Sequence, residues 1–281
     1  MRVKYVTEKL ANRGADGLPI LPEVFLDESY CNKNHTRGST WIDNTTGIQY
    51  KPSGKGLRVV MVGAGVLRGR YGKLLGEFVP NSLQIWEAKA AAVVGDDYHG
   101  NFDSDIFETW FEDLCYNAMI SYGPVTIHMD GASYHLRNLS PSPTTAWRKD
   151  EIQDWLTARD IWWDAKYLKP DVLALSKMVA ETKEFACVKI AANYGHRVLI
   201  TPPYHPELQP IEIVWARVKN AVAASPQRSM SELKTQLRVF FEELVTTETW
   251  CGAYRKAQGF EDKYWSDHQA SLALEVVHYS F

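Results

Sequence analysis

Three carboxylates stand where chemistry is plausible: Asp27 closes the apolar run Val24-Phe25-Leu26, Asp130 closes Val125-Thr126-Ile127-His128-Met129, and Glu212 opens a helical segment. An acid at the end of a buried strand is poorly solvated and needs a counter-ion. Three such oxygen donors brought together suit a hard divalent cation such as Mg²⁺. Before Glu212 lies Thr201-Pro202-Pro203-Tyr204-His205-Pro206-Glu207-Leu208-Gln209-Pro210. Its prolines fix φ and the last suits a helix start, so the turn aims Glu212 stiffly. Any one of the acids alone reads as a cap of a turn or helix. Jointly, with their flanks, they read as a metal triad.

Other chemistry-bearing residues fit less well. Glu28 neighbours Asp27, but successive strand residues point to opposite faces, which makes it a salt-bridge or surface residue. Asp96, Asp97 and His99 read as loop residues. Gly63-Ala64-Gly65-Val66-Leu67-Arg68-Gly69 lacks the helix start that a nucleotide loop requires, so it belongs to a hairpin. Ser133 and His135 lack a nucleophile-elbow context. His135 and His205 each read either as a phosphate-holding or loop-orienting imidazole or as a hydrogen-bonded structural one. The four cysteines, Cys31, Cys115, Cys187 and Cys251, form no CxxC pair, which disfavours a zinc site or disulfide scaffold.

Stepping along the chain, runs at 23–29, 36–42, 57–66 and 76–86 predict a strand meander. Asp103 caps a helix to about Tyr122, with Ile106, Phe107, Trp110, Phe111, Leu114 and Cys115 at helical spacing. A strand at 125–130 follows. Helices are expected at about 145–158 (capped by Pro141–Thr144), 169–180 and 181–194, then a strand at 197–201. Further helices follow at about 211–223, 229–245 and 247–258, with a weakly patterned tail. Residues 1–20 read as a linker or ordered lead-in. Strands first, then strands alternating with helices, predict an α/β fold: a mixed sheet flanked by helices.

The chain has 281 residues, 45% hydrophobic and 23% charged, which fits one large domain. No apolar run nears the roughly 20 residues that span a bilayer, and the first residues open no signal peptide. Net charge is −3, which argues against a strong nonspecific grip on nucleic acid. Locally, however, residues 44–76 contain no acid while Lys51, Lys55, Arg58, Arg68, Arg70 and Lys73 are basic. This strip reads either as a solvated hairpin face or as a phosphate-contacting surface.

The segments Phe25-Leu26-Asp27-Glu28-Ser29, His128-Met129-Asp130-Gly131-Ala132-Ser133-Tyr134-His135 and Pro202-Pro203-Tyr204-His205-Pro206-Glu207-Leu208-Gln209-Pro210-Ile211-Glu212, with Trp215, resemble the three acidic blocks of mariner-like DDE transposases. The likeness runs from about residue 20 to 225. Asn34-His35-Thr36 with Trp41, Gly95-Asp96-Asp97-Tyr98-His99 and Trp110-Phe111-Glu112 are similar to the eukaryotic branch. Two positions depart from the family pattern: Gly131 replaces the Asn common after the second acid, and Gln209 replaces the Asn before Pro-Ile-Glu. Neither removes a metal ligand.

The resemblance implies a ribonuclease H-like fold with a catalytic domain at 21–225, a helical insertion at about 140–195 and a helical extension at 226–281. It implies that Asp27, Asp130 and Glu212 hold two Mg²⁺ or Mn²⁺ ions and that double-stranded DNA is cut and joined without a covalent enzyme intermediate. Lys51, Lys55, Arg58, Arg68, Arg70, His135 and Lys219 are the expected DNA contacts. A homodimer, a nuclear location, no membrane and no small-molecule cofactor are expected with it. Too few residues precede Asp27 for the helix-turn-helix modules of relatives. Between Asp130 and Glu212 lie 81 residues, more than compact mariner cores use. Trp147, Trp155, Leu156, Trp162, Trp163, Leu173 and Leu175 there read as core or as a helical module for DNA or a partner. A stand-alone nuclease and a non-catalytic binder or effector on the same scaffold are the alternatives.

Overall fold

The computed structural model describes residues 1–35, 57–88, 103–179 and 183–278. Helix α1 (Arg2–Ala11) leads into strands β1 (Glu23–Asn32), β2 (Arg58–Arg70), β3 (Lys73–Phe78) and β4 (Gln84–Glu87). After helix α2 (Ser104–Tyr122) comes β5 (Thr126–Met129), then helices α3 (Lys149–Thr157), α4 (Lys169–Met178) and α5 (Ala186–Asn193). Strand β6 (Arg197–Ile200) and a 3-10 turn (Pro206–Leu208) precede α6 (Pro210–Ala224), α7 (Met230–Leu244) and α8 (Thr247–His278). The expected run at 36–42, and Lys51, Lys55, Asp96, Asp97 and His99, lie outside the described residues.

The strands form one six-stranded mixed sheet in the order β3-β2-β1-β5-β6, with β4 also on β2. β1 and β2 run antiparallel with Asp27 opposite Gly63, while β5 runs parallel to β1 and β6 parallel to β5. The single strand expected at 76–86 is two. Pro80 lacks a donor for a sheet ladder and Asn81 adopts φ 63°, so the chain turns there and β3 and β4 pair separate stretches of β2.

Alternation along the strands divides the core between two faces. Val24, Leu26, Ile127 and Met129 pack with Phe107, Phe111 and Leu114 of α2. Phe25, Met61 and Leu67 pack on the other face with Trp215 of α6, Leu237 and Phe241 of α7 and Trp250 of α8. Trp250 sits in a notch that only glycine leaves: a Cβ would stand 2.0 Å from its ring at Gly65 and 2.4 Å from its Cβ at Gly76.

Three expectations need revision. Residues 1–20 contain α1, whose Tyr5 and Val6 are buried against Leu208. Helix α3 begins at Lys149, not near 145, because Glu151 accepts the Arg148 N–H and so starts the helix. Helix α8 continues through the expected tail. It meets the sheet first, then α1 and the 3-10 turn, so its apolar residues follow no single stripe. Helices α3 and α4 bury Ile152, Trp155, Leu156, Val172 and Leu173 in a small core of their own.

Candidate active site

Asp27, Asp130 and Glu212 line one cleft of about 310 Å³. Strand alternation puts Asp27 on the same face as Phe25, toward α6. Glu212 and Trp215 are three residues apart on α6 and therefore share a side of it. The buried Trp215 indole donates Nε1–H to Asp27 Oδ2 at 3.0 Å, tying the third acidic block to the first. A Cβ at Gly63 would stand 3.1 Å from the tip of that indole.

The second acid is held differently. The Ala132 N–H donates to Asp130 Oδ1 at 3.0 Å, and His135 Nδ1 lies 2.7 Å from the same oxygen. The other ring nitrogen, Nε2, is 3.0 Å from Glu28 Oε1, and Tyr134 donates its hydroxyl to Glu28 Oε2 at 3.1 Å. Glu28 is thus the ion-pair residue expected from its strand face. His135 is 1% exposed, with both nitrogens engaged and its ring against Phe107 at 4.3 Å. At His135, one of the expected DNA contacts, both ring nitrogens lie on carboxylates, so the ring holds the second acidic loop. Burial alone would lower its pKa, but the adjacent Glu28 and Asp130 raise it to about 9.

Like charge accumulates without a matching cation at Asp27. Burial pushes its carboxyl well above the usual range, and Glu28, Glu212 and Asp130 push further. Burial and Asp130 also raise Glu212, partly opposed by Lys219. Among the described residues, no three His, Cys, Asp or Glu side chains stand close enough to hold an ion as they lie. In kind, however, an all-oxygen donor set fits a hard divalent cation. Asp27, Asp130 and Glu212 would be its ligands once their side chains close on it.

The remaining site residues are distributed unevenly. Lys219, two turns beyond Glu212, donates to Ser29 Oγ at 3.0 Å. Arg58 lies five residues along β2 from Gly63, and Arg68 and Arg70 lie five and seven residues the other way. At about 3.4 Å per residue these are displacements of roughly 17, 17 and 24 Å. Arg68 is paired with Glu77 at 2.9 Å. Gln209 donates to Thr201 Oγ1 at 3.3 Å rather than to an acid, and its buried Oε1 has no hydrogen-bond partner. The sequence reading missed Trp215 as the partner of Asp27. Its three-residue spacing from Glu212 was the available signal.

An acid inside the central strand, a second just past the parallel strand beside it and a third on a helix crossing the sheet define the ribonuclease H-like class. Residues 88–234 match the family model for DDE superfamily endonucleases, a span that includes Asp130 and Glu212. The chain belongs to that family. No curated protein matches it. Among solved structures, the Mos1 mariner paired-end complex with Mn aligns at TM-score 0.53 and 13% identity, covering 95% of this chain and 61% of that one. The Mos1 paired-end complex with Mg aligns at TM-score 0.49 and 12% identity, covering 93% and 60%. The chain thus spans about three fifths of the length of these transposase chains, and the likeness to the Mn complex is one of fold.

Proposed function

We propose that this protein cleaves DNA phosphodiesters and joins the resulting 3′ ends to a second duplex. Asp27, Asp130 and Glu212 hold Mg²⁺ or Mn²⁺, two ions per site. Bound divalent ions supply charge neutralisation at the phosphate and acidify water. The observation that carries the reading is the meeting of three distant acids in one cleft, with the half-buried Asp27 among like charges. Trp215 fixes the Asp27 carboxylate and His135 that of Asp130, so both arrive pre-oriented. Lys219 and Arg58 supply positive charge for the DNA backbone. A homodimer and a nuclear location accompany this reading.

Two measurements test it. Plasmid nicking and transfer of an oligonucleotide with a free 3′-hydroxyl, both with Mn²⁺, should be detectable in the wild type and absent with EDTA or in Asp130→Ala. Nicking without transfer would indicate a nuclease. For metal, 100 Kd of Mn²⁺ stabilises by about 2.7 kcal/mol through mass action, so the melting temperature should rise in the wild type and not in Asp130→Ala. An equal rise in both removes the metal assignment.

A further inference from the structure

We propose that His205 is an additional catalytic residue: its Nε2 accepts the proton of the nucleophile that attacks the DNA phosphate. This rests on the DNA-cleaving function proposed above. His205 lines the same cleft as Asp27, Asp130 and Glu212. Its Nδ1 lies 2.7 Å from Glu207 Oε1. The same carboxylate oxygen accepts the hydroxyl of Tyr264, which α8 brings in, and the Tyr264 ring meets the imidazole edge-on at 5.3 Å. An ionised carboxylate can only accept, so Nδ1 carries the hydrogen and the neutral ring has its lone pair on Nε2. A carboxylate that fixes the imidazole tautomer is how a histidine is prepared as a general base.

The backbone supports this placement. Between Pro203 and Pro206, Tyr204 adopts φ 63° although its side chain is 96% exposed and packs on nothing that would explain it. That left-handed residue turns the chain immediately before His205, and both residues line the cleft. Leu208, fully buried against Tyr5 and Val6, anchors the other side of the turn. The other histidine of the site, His135, already has both nitrogens on carboxylates.

In cleavage, a water oxygen bonds to phosphorus as one of its protons passes to Nε2. The bond from phosphorus to the 3′-oxygen breaks, and that oxygen takes a proton from solvent. In joining, a 3′-hydroxyl replaces the water and gives its proton to the same nitrogen, while the target strand's 3′-oxygen leaves.

The tautomer can be read on the intact chain without DNA. Long-range ¹H–¹⁵N spectra, assigned with His205→Asn, should show the Nδ1–H form in the wild type and its loss in Glu207→Ala. An Nε2–H wild-type ring overturns the proposal. In plasmid nicking, His205→Ala should lose about 10²–10⁴-fold in rate, lose the acidic limb of the pH profile and recover partly with added imidazole. DNA affinity should stay unchanged, as a check on folding. A wild-type rate in His205→Ala, or a loss with an unaltered pH profile and no rescue, overturns the assignment and leaves DNA cleavage standing. A wild type that cuts no DNA with Mn²⁺ removes both.

Discussion

Trp215 is held to the sheet twice, by the apolar contacts of its ring and by the hydrogen bond its indole N–H donates to Asp27. That bond makes one carboxylate oxygen's position a property of the core. Trp215→Phe keeps most of the apolar volume and removes the donor. We predict a 10–100-fold loss of Mn²⁺ affinity, the usual scale for removing an orienting partner, measurable by calorimetric titration. An unchanged affinity would mean that the indole serves packing alone. The acids themselves were legible in the sequence, because strand-end placement and a proline-stiffened turn are local signals. Their partners were not, since the Asp27–Trp215 bond joins residues 188 positions apart. Glu28 was half legible: strand alternation put it on the opposite face, and only the fold supplied His135 and Tyr134.

At the scale of elements, α8 decides more than its pattern announces. It covers the second face of the sheet with Trp250 and reaches the proline turn with Tyr264. Gly65→Ala drives a methyl into the Trp250 ring, where 2.0 Å is available, and the rigid indole can yield only by moving the helix. Overpacking of this kind costs about 3 kcal/mol, and the midpoint of denaturant unfolding should fall accordingly. Gly63→Ala, with 3.1 Å to Trp215, should instead shift the indole slightly and reduce metal affinity more than stability. The ends of α8 and the existence of α1 escaped the sequence reading because each changes packing partner along its length. Helix α2, which keeps one face on one sheet, was read to within a residue.

Across the whole molecule, a buried ionic cluster joins both helical ends of the described chain to the sheet. Lys9 of α1 pairs with Glu23 of β1 and lies 3.4 Å from Glu261 of α8; Tyr254 donates to Glu23 at 2.8 Å, and Tyr5 meets His128 at 3.0 Å. Burial would raise the Glu23 carboxyl, but Lys9 and its hydrogen bonds hold it well below the usual range. Burial lowers His128 to about 4, with Glu23 opposing. Both signs run the same way. Below its unfolded pKa of about 6.5, His128 binds a proton more readily unfolded than folded, so stability falls as pH drops from 6.5 toward 4. Glu23 adds a loss that begins near its unfolded value of about 4.3 and continues downward. His135, raised to about 9, runs the other way and adds a loss as pH rises from about 6.5 toward 9. The His128 contribution is therefore read as the difference in melting temperature between wild type and His128→Gln, which should grow in favour of the variant as pH falls from about 6.5 toward 4.

What the sequence determined by itself were the α/β class, the strands that carry Asp27 and Asp130, and the stiff turn that presents Glu212, because periodicity, proline geometry and strand-end charge act over a few residues. Tertiary structure decided which side chains hold those acids, that Lys9 and Glu261 can be buried at all, and that a tyrosine of α8 donates to the carboxylate beside His205. Those outcomes depend on contacts between residues tens to hundreds of positions apart, where local pattern carries no information about the partner.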